Sequence, residues 1–122
     1  MPIRTKRWCD PVEPADGFRV LVCRYRPRAL KKADETWDAW QKDLGPSAGL
    51  HAAIYGKAGP VPAWGKFARR YAAEMAGQAA AIEDLARRVR GGETVTLLCS
   101  KACTDESRCH RSLLKGLIEE RI

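Results

Sequence analysis

The stretch that decides the fold is VTLLCSKACTDESRCHR, residues 95–111. Its first four residues, 95–98, are β-branched and aliphatic without polar alternation, which is typical of a strand covered on both faces in a parallel α/β sheet. Polar residues suited to loops and N-caps follow, and then apolar residues recur at helical spacing. The sequence therefore predicts a strand, a short polar loop, and a helix that begins between Ser107 and Cys109.

Outward from this stretch, the pattern predicts further elements of the same fold class. Residues 18–23 are apolar on both faces and predict a central strand, with Cys23 interpreted as core packing. Residues 2–8 predict an edge strand, and residues 66–90 carry apolar positions at steps of three and four, as in an amphipathic helix with a break at Gly77. Strands separated by helices predict one compact α/β domain over residues 1–122, a small mainly parallel sheet flanked by helices in Rossmann-like layering.

Two shorter helices are predicted between these elements. Asp34 is an N-cap residue type, and Trp37, Trp40 and Leu44 follow at helical spacing. Ser47 is the N-cap of the next predicted helix, on which His51 is interpreted as a surface residue. Leu50 and Ile54 of this second helix are expected to face inward.

Size, charge and cysteine content narrow the class of protein. The chain has 122 residues, a net charge of +7 and five cysteines, an odd number that argues against a closed disulfide framework. No apolar run suits a membrane span or a signal peptide, so a cytoplasmic location is expected. Residues 1–32 hold nine basic and three acidic residues, which favours an acidic partner such as a nucleic acid or a small phosphorylated ligand.

A group of arginines follows the predicted strand at 18–23. Arg24, Arg26 and Arg28 surround Tyr25, and arginines bind phosphate bidentately or stack on bases. Parallel strands end at one edge of a sheet, so these residues are expected to meet Arg111 there in an anion-binding pocket. The alternative is that they are exposed arginines paired with the acidic residues that follow in the sequence.

The cysteine-rich stretch allows three kinds of chemistry. Cys109 at a helix N-terminus is a candidate nucleophile or redox thiol, with His110 as acid or base and Cys99 or Cys103 as the resolving thiol. The spacing C-x3-C-x5-C-H makes Cys99, Cys103, Cys109 and His110 candidate ligands for zinc or iron. In the third interpretation the helix N-terminus binds an anion and the cysteines only fill space.

Several of these residues together resemble a known family. They are Asp16-Gly17-Phe18-Arg19-Val20-Leu21-Val22, Arg26-Pro27-Arg28, Thr94 to Cys99, and Cys109-His110-Arg111. Over almost its whole length the chain resembles the DUF488 family, small bacterial and archaeal proteins of uncharacterised function, in the branch that keeps Cys-His-Arg. A common family version has Asp-Arg-Leu-Trp-Pro-Arg-Gly at positions 23–29, so this chain lacks that Asp and Trp. The resemblance implies a compact α/β fold and a cytoplasmic location, and names no substrate.

The interpretation that joins these observations is a pocket for an anion, phosphate or nucleotide, with a reactive thiol in the Cys-His-Arg turn. One alternative is a nucleic-acid-binding module that uses the basic N-terminal quarter. The other is a metal-binding protein that uses the Cys/His cluster. The sequence indicates neither a cofactor nor an oligomeric state.

Overall fold

Within residues 2–57 and 59–122, which the computed structural model describes, four strands form one parallel sheet. Their order is β1-β4-β2-β3, with β1 at Ile3–Arg7, β2 at Phe18–Leu21, β3 at Ala39–Trp40 and β4 at Val95–Cys99. The predicted α/β class and parallel sheet are therefore confirmed, with β1 at an edge and β2 and β4 central. Met1, the first residue of the predicted domain, lies outside the described residues.

The described part of the chain contains four α-helices: α1 at Ala48–Ile54, α2 at Trp64–Met75, α3 at Ala79–Arg90 and α4 at His110–Glu119. The Ser47 hydroxyl accepts a hydrogen bond from the Leu50 amide and caps α1 as predicted. A 3₁₀ turn around Gly77 separates α2 from α3, which confirms the predicted break. Helix α4 begins one residue later than predicted because a 3₁₀ turn precedes it.

The helices pack against one set of alternating strand residues. Val20, Val22 and Leu97 belong to a large cluster that also receives the buried apolar side chains of all four helices described above. Leu21 and Leu98, the alternate residues of the same strands, belong to a smaller cluster with the buried cysteines and with tryptophans from the loops. All five residues of β4 are buried, because both faces of this central strand are covered.

The predicted helix after Asp34 is wrong. A 3₁₀ turn at Lys32–Asp34 leads into β3, whose flanking amides bond to β2: Asp38 N–H to Arg19 O at 2.7 Å and Gln41 N–H to Leu21 O at 2.9 Å. The helical spacing of the apolar residues was misleading, since Trp37 packs on the smaller cluster and Leu44 on the large one. Pairing with a distant strand satisfies the backbone here instead of a helix.

Candidate functional site

A cleft of about 1090 Å³ opens where β2 and β4 end. Its walls come from residues 23–28, from helix α1 and the loop after it, and from residues 99–110. The arginine segment and the cysteine-rich stretch, more than 70 residues apart in the chain, thus line one cavity. Parallel strands in neighbouring register bring their carboxyl ends together, which is why a cleft forms at this edge.

Among the charged residues that line the cleft, cations outnumber anions. Among the described lining residues, five are basic and one, Asp105, is acidic. Asp105 accepts hydrogen bonds from the backbone and hydroxyl of Ser107, which lower the pKa of its carboxyl and keep it charged. The basic residues are Arg24, Arg26, Arg28, Lys57 and Arg108. The excess of positive charge suits an anion.

The three predicted anion-binding arginines on the cleft wall are not equally available. Arg26 pairs with Glu35 at 2.7 Å, as the exposed-pair alternative expects, and Arg24 donates to the Pro46 carbonyl at 3.0 Å. Arg28 is exposed and its side chain has no hydrogen-bond partner within residues 2–57 and 59–122. Of these three side chains, Arg28 is the one with all its donors left for a ligand.

Arg111 takes a different position from the one expected. It is 3% exposed, is not among the residues that line the cleft, and donates to the Cys103 carbonyl at 3.3 Å. Successive helical residues point about 100° apart, so His110 can face the cleft only if Arg111 faces elsewhere. Arg111 therefore stabilises the loop that carries Cys103 from inside the protein, and its side chain does not line the cleft.

The rest of the basic N-terminal quarter is largely neutralised. The buried carboxylate of Asp16 pairs with Arg4, Lys6 and Arg19. Arg7 pairs with Asp10 at 3.1 Å. These pairs leave the basic residues after β2 as the remaining basic surface of this quarter, and those at positions 24–28 line the cleft.

Four of the five cysteines meet at the floor of the cleft. The Sγ atoms of Cys99, Cys103 and Cys109 lie within 4.8 Å of one another, and Cys99 Sγ is 3.2 Å from Cys103 Sγ. Cys23, interpreted from the sequence as core packing, is buried but lies 3.7 Å from Cys99 Sγ. The signal that could have placed it here is its position at the end of β2, beside the end of β4. The thiol cluster is an arrangement that could hold a metal ion.

The thiols of this cluster differ in exposure and in charge. Cys99 and Cys109 are each 2% exposed, whereas Cys103 is partly exposed on the loop after β4. Hydrogen bonds from the Cys109 and Cys99 thiols lower the pKa of Cys103 well below its usual range. The same contacts with Cys103 raise the pKa of Cys109 and of Cys99. These contacts therefore favour the thiolate form at Cys103, the thiol of the cluster that solvent can reach.

His110 has a defined tautomer. Its Nε2 is 2.7 Å from the Val22 carbonyl oxygen, which can only accept, so Nε2 carries the proton. Nδ1 is then a bare acceptor, 3.8 Å from Cys99 Sγ. Burial lowers the pKa of His110, so the ring is neutral at pH 7. It is positioned to accept a proton from the cysteine cluster.

Sequence reasoning missed two residues of the cleft wall. His51 and Tyr55 lie one turn apart at the end of α1 and just after it, and both line the cavity. Burial raises the pKa of Tyr55 to about 12, and the nearby Cys103 and Cys99 thiols add to the rise. The i, i+4 spacing of two aromatic rings was the available signal, but nothing in the sequence showed that this face of α1 looks onto the thiols.

The fold and this site define a small parallel α/β protein with a thiol-floored cationic cleft at the carboxyl edge of its sheet. The chain belongs to the DUF488 family: residues 3–122 match DUF488-N3a, described as the Active DUF488-N3 subclade. The resemblance stated from the sequence is thus confirmed.

The curated relatives of the chain carry the name uncharacterized protein. The uncharacterized protein YeaO of Escherichia coli (strain K12) is 42% identical over 76 residues, which span 62% of this chain and 64% of YeaO. The uncharacterized proteins Mb3100c of Mycobacterium bovis and Rv3073c of Mycobacterium tuberculosis are each 31% identical over 119 residues, 98% of this chain and 95% of theirs. No solved structure is a significant match. None of the helices in the described part of the chain combines the length and apolarity needed to cross a bilayer.

Proposed function

We propose that the cleft binds a small anionic ligand and that Cys103, as a thiolate, reacts with it or with an oxidant at the cleft floor. The observation that carries this proposal is a partly exposed thiol, in contact with two buried thiols, in a cavity lined by five cations and one carboxylate.

This proposal moves the reactive thiol from Cys109, the residue expected from the sequence, to Cys103. Cys109 precedes the first residue of α4, but its side chain is buried and the neighbouring thiolate raises its pKa. A nucleophilic thiol needs thiolate character and access, and of these two thiols only Cys103 combines them.

Cys99 and His110 then take supporting roles. If Cys103 is oxidised to a sulfenic acid by a peroxide, Cys99 Sγ at 3.2 Å is positioned to attack its sulfur. The Cys99 proton passes to His110 Nδ1, the Cys103 oxygen leaves as water after protonation, and a Cys99–Cys103 disulfide forms. Cys99 thus keeps the resolving role expected from the sequence.

The experiment is native alkylation with iodoacetamide, followed by mass spectrometry of each cysteine. Cys103 should be modified at least about tenfold faster than Cys9, which is partly exposed and lies outside the cleft. Inorganic phosphate should slow modification of Cys103 and leave Cys9 unchanged. Faster labelling of Cys109 than of Cys103 would identify Cys109 as the reactive thiol. If no thiol of the cleft reacts, the proposed thiol chemistry is wrong.

A second candidate function, metal binding, is favoured by the same three sulfur atoms. Tetrahedral zinc with Zn–S bonds of about 2.3 Å needs sulfurs roughly 3.8 Å apart, which the cluster approaches. His110 Nδ1 lies 3.8 Å from Cys99 Sγ and would be the fourth ligand. Cys109 has an extended backbone and His110 is helical, so these adjacent residues both reach the cleft.

Elemental analysis of the purified protein tests this candidate. About one equivalent of zinc or iron, lost in Cys109→Ser but kept in Cys9→Ser, would support a metal centre. Bound metal would also protect Cys103 from iodoacetamide until a chelator is added. Metal-free protein whose Cys103 alkylates rapidly would contradict it.

A further inference from the structure

We propose that the anionic ligand of the cleft is a nucleotide, whose base stacks on an aromatic group formed by Tyr25, His51 and Tyr55. This inference rests on the proposed anion cleft and names the class of ligand that fits it. The recognised unit is a phosphate joined to an aromatic base, whether as a free nucleotide or at the end of a single strand.

The first observation is the geometry of the aromatic group. The ring of His51 lies 4.9 Å from that of Tyr25 and 4.5 Å from that of Tyr55, measured between centroids. All three residues line the cleft. Bases stack on such rings because every base has an apolar π-face, and each stacked base is worth a substantial part of the binding free energy.

The second observation is exposure. Tyr25 is 54% exposed and Tyr55 is 44% exposed, so much of the aromatic surface is free although three rings are in contact. Burial, with Lys57 nearby, lowers the pKa of His51, so the central ring is uncharged at pH 7. The aromatic group therefore offers a neutral surface for the base, next to the cations that would bind the phosphate.

The third observation is size. A cleft of about 1090 Å³ is slightly larger than the usual range for small-molecule sites, roughly 300–1,000 Å³, and is far larger than one phosphate needs. Arg28 and Lys57 lie in the wall of this same cavity. A ligand that uses both the cations and the aromatic group must carry a negative charge and a planar ring system, as a nucleotide does.

Binding measurements on the full chain, by titration calorimetry, test the proposal. The ligands are the four common nucleoside 5′-monophosphates, their four nucleosides, ribose 5-phosphate and inorganic phosphate. At least one monophosphate should bind about tenfold or more tightly than ribose 5-phosphate and than its own nucleoside. A 5′-phosphorylated tetranucleotide that binds more tightly than every mononucleotide would identify the end of a strand as the source of the same unit.

Variants show which residue binds the base of the nucleotide and which binds its phosphate. Tyr25→Ala should remove the advantage of the nucleotide over ribose 5-phosphate, and Tyr25→Phe should keep it, because the ring remains. Arg28→Ala should remove the advantage over the nucleoside, while Arg70→Ala, an exposed arginine on α2 outside the cleft, should not. Circular dichroism of each variant confirms that it is folded.

The failures are distinguishable. Equal binding of every nucleotide and ribose 5-phosphate would overturn the nucleotide inference and leave the anion cleft standing. A nucleotide advantage that survives Tyr25→Ala would overturn the aromatic group as the base site. Absence of binding by all phosphates, including inorganic phosphate, would overturn the anion cleft itself.

Discussion

Two groups of basic residues in the N-terminal quarter have different surroundings. Arg4, Lys6 and Arg19 converge on the buried carboxylate of Asp16, which is 0% exposed. The second group, Arg24, Arg26 and Arg28, follows β2 and lines the cleft, and Arg28 in this group is exposed. The comparison shows that a basic composition does not by itself indicate a binding surface, because one group stabilises the fold and the other is available to a ligand.

The largest effect is expected from removing the carboxylate of the buried group. Asp16→Ala should lower the free energy of unfolding by about 3–5 kcal/mol, since it leaves the buried Arg19 without its counterion. Urea denaturation measures the change. Glu13→Ala, which removes an exposed partner of the same network, should lower the free energy of unfolding far less. A loss below about 1 kcal/mol for Asp16→Ala would show that the ion pairs around Asp16 stabilise the fold no more than surface pairs do.

The second effect concerns the pH dependence of the cleft thiol. Because hydrogen bonds from Cys109 and Cys99 lower the pKa of Cys103, we expect its thiolate to be present already at pH 6. The iodoacetamide rate at Cys103 should therefore change by less than about twofold between pH 6 and pH 8. A free thiol with a pKa of about 8.5, measured in parallel, should rise roughly 75-fold. A similar rise at Cys103 would show that the cleft does not stabilise its charge.

The third effect separates binding from stability in the available group. Arg28→Ala should weaken phosphate binding by about tenfold, the loss of one charge-assisted contact, and change stability by less than about 0.5 kcal/mol. Calorimetry and urea denaturation give the two numbers. Unchanged phosphate binding would show that Arg28 does not contact the ligand. A large loss of stability would show that Arg28 stabilises the fold.

The smallest effect concerns the backbone next to Arg28. Ala29 has a φ of 59°, in the left-handed region that favours glycine. Ala29→Gly should stabilise the protein by about 0.5–1 kcal/mol by relieving this strain. The control is Ala73→Gly on the exposed side of α2, which should destabilise by about 1 kcal/mol. A destabilising Ala29→Gly would indicate that the loop is not strained.

The sequence predicted those parts of the fold in which local pattern and tertiary structure agree. The apolar run at 95–98 has one compatible environment, a covered strand, and the polar loop and helix after it follow local rules. Residues 34–44 failed because their tryptophans fit a helical spacing while their backbone pairs with β2, a contact that no local pattern reveals. Short edge strands such as β3 are set by their partner more than by their own residues.

Within the site, the sequence located the residues but not their exposure. The placement of Cys99, Cys103 and Cys109 in one cluster follows from the strand–loop–helix pattern. Which of these thiols reaches solvent depends on the course of the loop and on the rotation of α4. The same rotation places His110 in the cleft and Arg111 out of it. Residue types alone do not predict which of two adjacent residues of a helix faces the cleft.

The measurement that tests the cationic, thiol-floored cleft most directly compares two alkylating agents of different charge. Iodoacetate is an anion and iodoacetamide is neutral, so the ratio of their rates at one thiol reports the local potential. At low salt this ratio should be at least about fivefold higher at Cys103 than at Cys9, and it should fall towards that of Cys9 with added phosphate or in Arg28→Ala. An equal ratio at Cys103 and Cys9, unaffected by phosphate, would contradict an anion-binding cleft above a reactive thiol.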